Sequence, residues 1–289
     1  MSRAQTEVWL GFKAFDVHEL LCHAIAAVGD FYAGQNILVR LIDTTFLPDD
    51  SLPENTMSVA CGTALSSFLG GKRRKVVFVA CDRPMFWLYG RPGISSLEQL
   101  NQARVATFPE LAAPARFLQK MLGDVGVAPG LLPSRDDVAR LGLLASGSVD
   151  AALLSSHYLP AEVAYAGVTQ IAFMGDHVRL PSTGLAVTGK LYEEQPALVA
   201  AMVATFQRAM KAVFDRDDTL LRRALTEYFG KPEHSLDPAI KVIRDCYNPF
   251  CNSYGNKLQP AIDAMAAGMG LASRDAGELY EFKYLAITN

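Results

Sequence analysis

The sequence predicts an α/β protein made of two successive strand–helix units followed by a helical tail. Three observations predict it. Short apolar, β-prone runs alternate with segments whose apolar residues recur every three or four positions. That alternation restarts near residue 86 after a complete first series. Beyond residue 196 the periodicity is mostly helical.

In the first series, Val8 to Phe12 alternates as a strand. Asp16 then precedes a helix whose buried stripe is Val17, Leu20, Leu21, Ile25 and Val28, and Gly29 stops it. Ile37 to Ile42 is a second strand and Met57 to Ala60 a third. Cys61-Gly62-Thr63 turns the third strand into an apolar helix that ends at Gly70-Gly71. Val76 to Ala80 has the continuous apolar character of a strand covered on both faces.

The second series opens with Phe86 to Tyr89 and the turn Arg91-Pro92-Gly93, after which Ser95-Ser96-Leu97-Glu98 opens a short helix. Arg104 to Thr107 is a strand. The helix after it carries Leu111, Ala115, Leu118 and Leu122 on one face and closes at Gly123. Ser134-Arg135-Asp136-Asp137 reads as a helix start, with Val138, Leu141 and Leu144 inward and Gly147 at the end. Val149 to Leu154 is a strand, Ser155-Ser156 a further helix entrance, and Gln170 to Phe173 the last strand of the series. Thr183 to Val187 reads as a return to the first series. Lobe 1 is then discontinuous, residues 1–82 and 185–289, with lobe 2 spanning 83–184. The crossings at Asp82-Arg83-Pro84 and Pro181-Ser182-Thr183-Gly184 form the expected hinge. Helices are expected from Pro196, over Thr219 to Tyr228, Asp237 to Cys246 and Leu258 to Ala267.

Composition narrows the function classes. Of 289 residues, 50% are hydrophobic and 20% charged, with a formal charge of −3, as in an ordinary globular protein. No basic stripe marks a nucleic-acid binder. The densest basic run, Lys72-Arg73-Arg74-Lys75, reads as a solvated turn. Five scattered cysteines make no disulfide framework, though Cys246 and Cys251 are either a pair or two thiols. No segment reads as a bilayer span of roughly 20 apolar residues. As written, the sequence has no signal peptide. The expected location is therefore cytoplasmic, or periplasmic if a leader has been removed.

Four stretches carry a resemblance. Gly29 to Val39 resembles a G-x-F-x-x-x-G-L-x-V segment after a first helix. Gly93-Ile94-Ser95-Ser96-Leu97-Glu98-Gln99-Leu100 resembles G-I-x-S-x-x-D-L. Arg104-Val105-Ala106 stands in the place of a K-I-G/A strand, and Ala145 to Ala151 is similar to x-x-G-x-V-D-A. Their shared order resembles the NMT1/THI5-like, SsuA/TauA-type substrate-binding proteins of ABC transporters. That resemblance implies a two-lobed type II periplasmic-binding-protein fold with a helical C-terminal tail. It also implies a small organic ligand, a heterocycle or small organic acid, held in an interlobe cleft, and a permease as partner. The alternative it implies is a cytoplasmic enzyme or sensor on the same fold, related to thiamine-pyrimidine or menaquinone-pathway proteins. The C-C-C-F-C segment of the fungal pyrimidine synthase has no counterpart here, and Glu110 stands where the family has a small residue.

Ligands of open α/β sheets sit beyond the carboxyl ends of the strands, where helix N-termini present unpaired N–H groups. Three entrances qualify: Cys61-Gly62-Thr63, the segment from Pro109 through Glu110 and Leu111 to Ala113, and Ser155-Ser156-His157. Each is a binding element or a cap for its own helix. Lys13 is placed to pair a carboxylate and Phe15 to stack on a flat ring; alternatively they are a surface lysine and a core aromatic. Arg83 either clamps an anion or bridges the lobes. His18, with Glu19, Cys22 and His23, tempts a metal reading. The histidines lie five apart, about 140° around a helix, so they do not make an H-E-x-x-H pair. Early in its helix, His18 faces the expected cleft. Cys61 is a candidate thiol nucleophile at a helix start, or a small buried cysteine. Tyr247-Asn248-Pro249-Phe250 closes over the cleft or packs as a loop. No catalytic residue, metal, cofactor, nucleic-acid partner or direct membrane insertion is expected.

Overall fold

The computed structural model describes residues 5–110, 112–134, 136–252 and 258–286. The chain begins with β1 (Thr6–Phe12) and α1 (Val17–Val28), then β2 (Ile37–Asp43), β3 (Thr56–Ala60), α2 (Cys61–Leu69) and β4 (Arg74–Cys81). An insert follows: β5 (Phe86–Gly90), β6 (Arg104–Thr107), α3 (Ala113–Asp124), β7 (Gly130–Pro133), α4 (Asp137–Ala145), β8 (Ala151–Ser155), α5 (Pro160–Val163), β9 (Thr169–Phe173) and α6 (Met174–His177). The return is β10 (Thr183–Thr188), followed by α7 (Gly189–Glu194), α8 (Pro196–Phe214), α9 (Thr219–Arg223), α10 (Leu236–Cys246), α11 (Leu258–Met269) and α12 (Ala276–Leu279).

Two five-stranded sheets result, ordered β2-β1-β3-β10-β4 and β7-β6-β8-β5-β9. Each is parallel but for one strand. In the first, β10 runs antiparallel between β3 and β4. In the second, β5 runs antiparallel between β8 and β9. The chain divides into two compact units. One comprises 1–82, 180–233 and 243–289; the other comprises 83–179 and 234–242.

The first unit's core forms because β4 buries Val76 through Cys81 and α8 lays a stripe on it. Val199, Met202, Phe206, Met210 and Val213 are buried, and Phe206 meets Phe78 edge-on at 5.8 Å. By length and composition alone α8 could cross a bilayer. The sequence had shown no such span. Its apolar face instead covers the sheet, and Gln207, Arg208 and Lys211 break its other side. The second unit's core joins Leu88, Val105 and Leu153 of the sheet to Leu118 and Leu122 of α3.

Several expectations change at this level. β7 was not foreseen: four residues at a sheet edge carry no alternation to read. Asp136, not Ser134, caps α4, its carboxylate accepting from Ala139 N at 2.7 Å. Ser155-Ser156 opens no helix. The chain turns there, Ser155 Oγ accepting from His157 N at 3.1 Å. The helix expected over Thr219 to Tyr228 passes at Ala224 into a π-helical turn ending at Tyr228. Lys72 and Arg73 lie between the turn at Gly70-Gly71 and β4, and Arg74 and Lys75 begin β4. All five cysteines are buried free thiols, so Cys246 and Cys251 do not pair.

One close approach holds β10 in place. A Cβ on Gly184 would lie 2.0 Å from the backbone oxygen of Phe78. Neither backbone can withdraw without breaking the ladder. Gly184→Ala is therefore expected to destabilise the protein by roughly 3 kcal/mol, read as a lower denaturant midpoint at constant m-value.

Candidate functional site

The first sheet's parallel strands all end at one edge, and β10 starts there: Thr183 pairs with both Ala60 and Cys81. Lys13, directly after β1, is half-buried and donates from Nζ to Thr44 O. Thr45 Oγ1 donates to Lys13 O at 3.0 Å, and Thr44 Oγ1 to Phe12 O at 3.0 Å. This lacing fixes the turn. Burial lowers the Lys13 ammonium pKa against the pull of Glu19 and nearby aspartates.

Glu19 closes the same turn from α1. Its Oε2 accepts from Lys13 N at 2.7 Å and from Ala14 N at 3.3 Å. Burial, together with the Asp16 carboxylate, pushes the Glu19 carboxyl up to about 8 despite those two amides. Asp16 itself caps α1, Oδ1 accepting from Glu19 N at 2.9 Å. Phe15 is 48% exposed. Its ring stacks on Tyr228 at 5.5 Å and 12°, with Phe229 edge-on at 6.2 Å. The π-helical turn delivers these two partners, a device that recurs where helices serve a site.

His18 is buried, and burial lowers its ring pKa to about 3. Its Nε2 lies 2.8 Å from Ser182 Oγ, and Ser182 donates its one proton to Cys81 O at 3.0 Å. The serine must therefore accept from a neutral His18, which assigns the Nε2–H tautomer. The pair is a tie between α1 and the start of β10, not a base activating a nucleophile. Tyr247 strengthens the tie, donating to Val17 O at 2.7 Å, with His18 O at 2.9 Å. Tyr247 thus packs under α1, whereas Phe250 of the same turn is 69% exposed. His23 instead meets Tyr32 Oη at 2.9 Å. The two histidines thus serve different neighbours. Among the described residues no group of three or more His, Cys, Asp and Glu side chains is placed to hold a metal.

Cys61 begins α2 but is wholly buried, its thiol turned to Phe78 O at 3.9 Å. Burial raises its pKa, so the helix start does not make it a thiolate. Gly62 and Thr63 follow. Thr63 is exposed, and a Cβ on Gly62 would meet nothing within 4 Å. No side chain caps α2. Gly62 N makes a long bond to Ser182 O, 3.4 Å, and the first-turn N–H groups of this helix have no intrahelical partner.

In the second unit the strand ends carry a different apparatus. Ser155, at the end of β8, donates from Oγ to Asp137 Oδ2 at 2.7 Å, and its N donates to Asp137 Oδ1 at 2.8 Å. Asp137 also accepts from Arg140 at 2.7 Å. Arg140 has no exposed side-chain surface; it donates to Ser134 O at 2.7 Å and lies 3.7 Å over the Phe108 ring. Phe86 meets Phe108 edge-on at 5.3 Å. Arg140 Nε and the Thr107 hydroxyl, 1% exposed, have no hydrogen-bond partner among the described residues. Ser156 is buried, His157 exposed against Tyr158, and Glu110 exposed. Leu111 lies outside the described residues. Arg83 pairs with Asp176, donates to Gly175 O at 3.3 Å and lies 5.1 Å over Phe173. These partners belong to its own unit.

Sequence reasoning thus picked Lys13, Phe15, His18 and the α2 start, and these share one sheet edge. Ser155, Ser156 and His157 share the β8 end, whereas Arg83 precedes β5. Missed were Glu19 as a turn clasp, Ser182 as partner of His18, Tyr228 as partner of Phe15, and Arg140 with Thr107. Only the Asp137/Arg140 spacing on one helix carried a readable signal.

No protein-family model matches the chain, and no curated protein sequence does either. Solved structures do. A Bordetella bronchiseptica RB50 protein superposes with a TM-score of 0.79 at 15% identity, covering 99% of this chain and 97% of its own. The alkanesulfonate-binding protein SsuA of Xanthomonas axonopodis pv. citri, bound to MOPS, gives 0.75 at 13% identity, covering 97% and 100%. The zinc-bound ligand-binding component of an ABC-type import system from Staphylococcus aureus gives 0.73 at 12%, covering 97% and 98%. At such identities the likeness defines the fold: the α/β, two-lobed type II periplasmic-binding-protein fold, with a helical tail.

Two tests follow. Asp137→Ala leaves the Arg140 guanidinium buried without its carboxylate and is expected to cost about 3–5 kcal/mol in urea unfolding. Glu19 gives a pH signature. Its folded pKa is above the ordinary 4.5, so between about 4.5 and 8 the native state holds a proton the unfolded chain lacks. Native stability then falls as pH rises across that window. Glu19→Gln keeps an acceptor for Lys13 N and Ala14 N but not the proton. Its stability relative to wild type should improve steadily from pH 5 to pH 8 in parallel denaturation curves.

Proposed function

We propose that the chain binds a small organic anion with an aromatic or apolar body, as the solute-binding component of an ABC-type importer. The observation that carries this reading is the first sheet's carboxyl edge. It combines an uncapped helix start at Gly62-Thr63, the Lys13 ammonium, and the exposed face of Phe15 backed by Tyr228. Unpaired N–H groups and an ammonium suit an oxyanion; a stacked aromatic pair suits a flat body. Glu19 is largely protonated at neutral pH and adds little opposing charge. The fold neighbour described as alkanesulfonate-binding supports the anionic class. For the zinc carried by another neighbour, the described residues offer no matching donor set.

Contacts from the second unit belong to this reading: Glu110, Ser156 and His157 near its strand ends, and also Leu111 and Arg83. Ser155 acts here through Asp137, holding the β8 turn. So do the finer expectations: an NMT1/THI5-like affinity, a periplasmic working place, a permease partner, and closure through Asp82-Arg83-Pro84 and Pro181-Ser182-Thr183-Gly184. For an enzyme on the same fold Cys61 is a poor nucleophile, because burial holds its thiol protonated.

Titration calorimetry with alkyl and aryl sulfonates, sulfinates, carboxylates and neutral heterocycles tests the proposal. One anionic class should bind one-to-one, and Lys13→Met should weaken it about tenfold or more, the loss of one charge-assisted contact. Affinity should also fall as pH rises through about 8, where Glu19 ionises beside Lys13. Preference for the neutral compounds, or binding that ignores Lys13→Met, would sink the proposal.

A further inference from the structure

The Lys72–Lys75 run has no part in the site above. It lies at the opposite, amino edge of the first sheet, since Arg74 starts β4 and Cys81 ends it. Seven residue steps at roughly 3.3 Å place it about 23 Å from the carboxyl edge. There the first unit has a hollow of about 250 Å³. Arg73, Arg74, Lys75 and Arg274 line it, against the carboxylates of Glu193 and Glu278.

The carboxylates present are already engaged. Glu193 pairs with Arg73 and Glu278 with Arg274. Asp49 faces two cations through one oxygen, Lys72 at 2.6 Å and Arg74 at 2.5 Å. Lys75 and Lys283 have no carboxylate partner among the described residues. Both ammonium groups lie over the Tyr192 ring, at 6.0 Å and 4.6 Å. Positive charge therefore exceeds negative around this hollow.

Two of the guanidinium groups are also fixed in place. Arg74 is only 15% exposed. Arg274 donates to Phe68 O at 2.7 Å and lies 3.8 Å over the Phe68 ring. A solvated basic turn has neither feature, because its side chains are free to follow the solvent. Held guanidinium forks match oxyanions with little further loss of side-chain freedom. Size limits the ligand. At about 250 Å³ the hollow falls near the lower end of the roughly 300–1,000 Å³ range of small-molecule sites.

We propose that this hollow is a second ligand site, taking a tetrahedral oxyanion: phosphate or sulfate, free or as a small monoester. Arg74 and Arg274 supply the N–H groups that Asp49, Glu278 and Phe68 O leave free, Lys75 the unbalanced charge of the lining, and Lys283, beside Tyr192 but outside the lining, adds to it.

The test is titration calorimetry on the full chain with inorganic phosphate, with sulfate, and with glycerol phosphate, against chloride at matched ionic strength. Saturable binding of at least one oxyanion is expected. It should weaken tenfold or more in the Lys75→Gln/Lys283→Gln double variant, whose thermal midpoint should stay near wild type because both ammonium groups lie outside the core. Lys13→Met, at the other edge, should leave it unchanged. Tighter binding of glycerol phosphate than of phosphate identifies an esterified ligand, and the reverse a free ion. Equal heats from chloride, no heat from any oxyanion, or undiminished binding by the double variant would each overturn the assignment.

Discussion

The first sheet is not complete until residue 183. β3 and β4 are neighbours in sequence but not in space; β10 must run antiparallel between them, after about a hundred residues of insert. That constraint governs much of the rest. Because β10 is antiparallel, it begins at the edge where β3 and β4 end. Both passages of the chain out of and back into this unit therefore meet at the carboxyl edge, where Leu180 N donates to Asp82 O at 3.1 Å and Ser182 N to Cys81 O at 2.9 Å. The same arrival brings Ser182 to His18 and its carbonyl to Gly62, and places Thr183 Oγ1 on Val59 O at 2.9 Å.

Burial then decides which groups at that edge keep a charge. Desolvation holds His18 neutral, keeps Cys61 a thiol and leaves Glu19 mostly protonated at neutral pH. Lys13, half-buried and laced to Thr44, is the cation of the turn. The second unit handles charge differently. It buries a full ion pair, Arg140 with Asp137, and satisfies the carboxylate through both the amide and the hydroxyl of Ser155. Such a network is costly to break and fixes the end of β8 relative to the start of α4.

Much of the fold was legible because it rests on local patterns. The apolar runs at Val76 to Ala80 and Val149 to Leu154 could be little but buried strands, and the stripe from Val199 to Val213 little but a covered helix. β7 escaped because an edge strand of four residues has no period. The cap of α4 was misplaced by two residues because Ser134 and Asp136 are equally good acceptors, and only the backbone path chooses between them. In the site, Lys13 and Phe15 were legible from their position after a strand. Their partners Thr44 and Tyr228 were not, lying 31 and 213 positions away in the chain.

The sequence by itself determined most of the longer elements, their order, and which loops follow their strand ends, since periodicity and turn chemistry act within a few residues. Tertiary structure alone decided the protonation of Glu19, His18 and Cys61 and the hiding of Arg140. It also decided the gathering of basic residues from β4, α12's approach and the tail around one hollow. Charge state depends on desolvation and on neighbours through space, and neither is encoded at any single position of the chain.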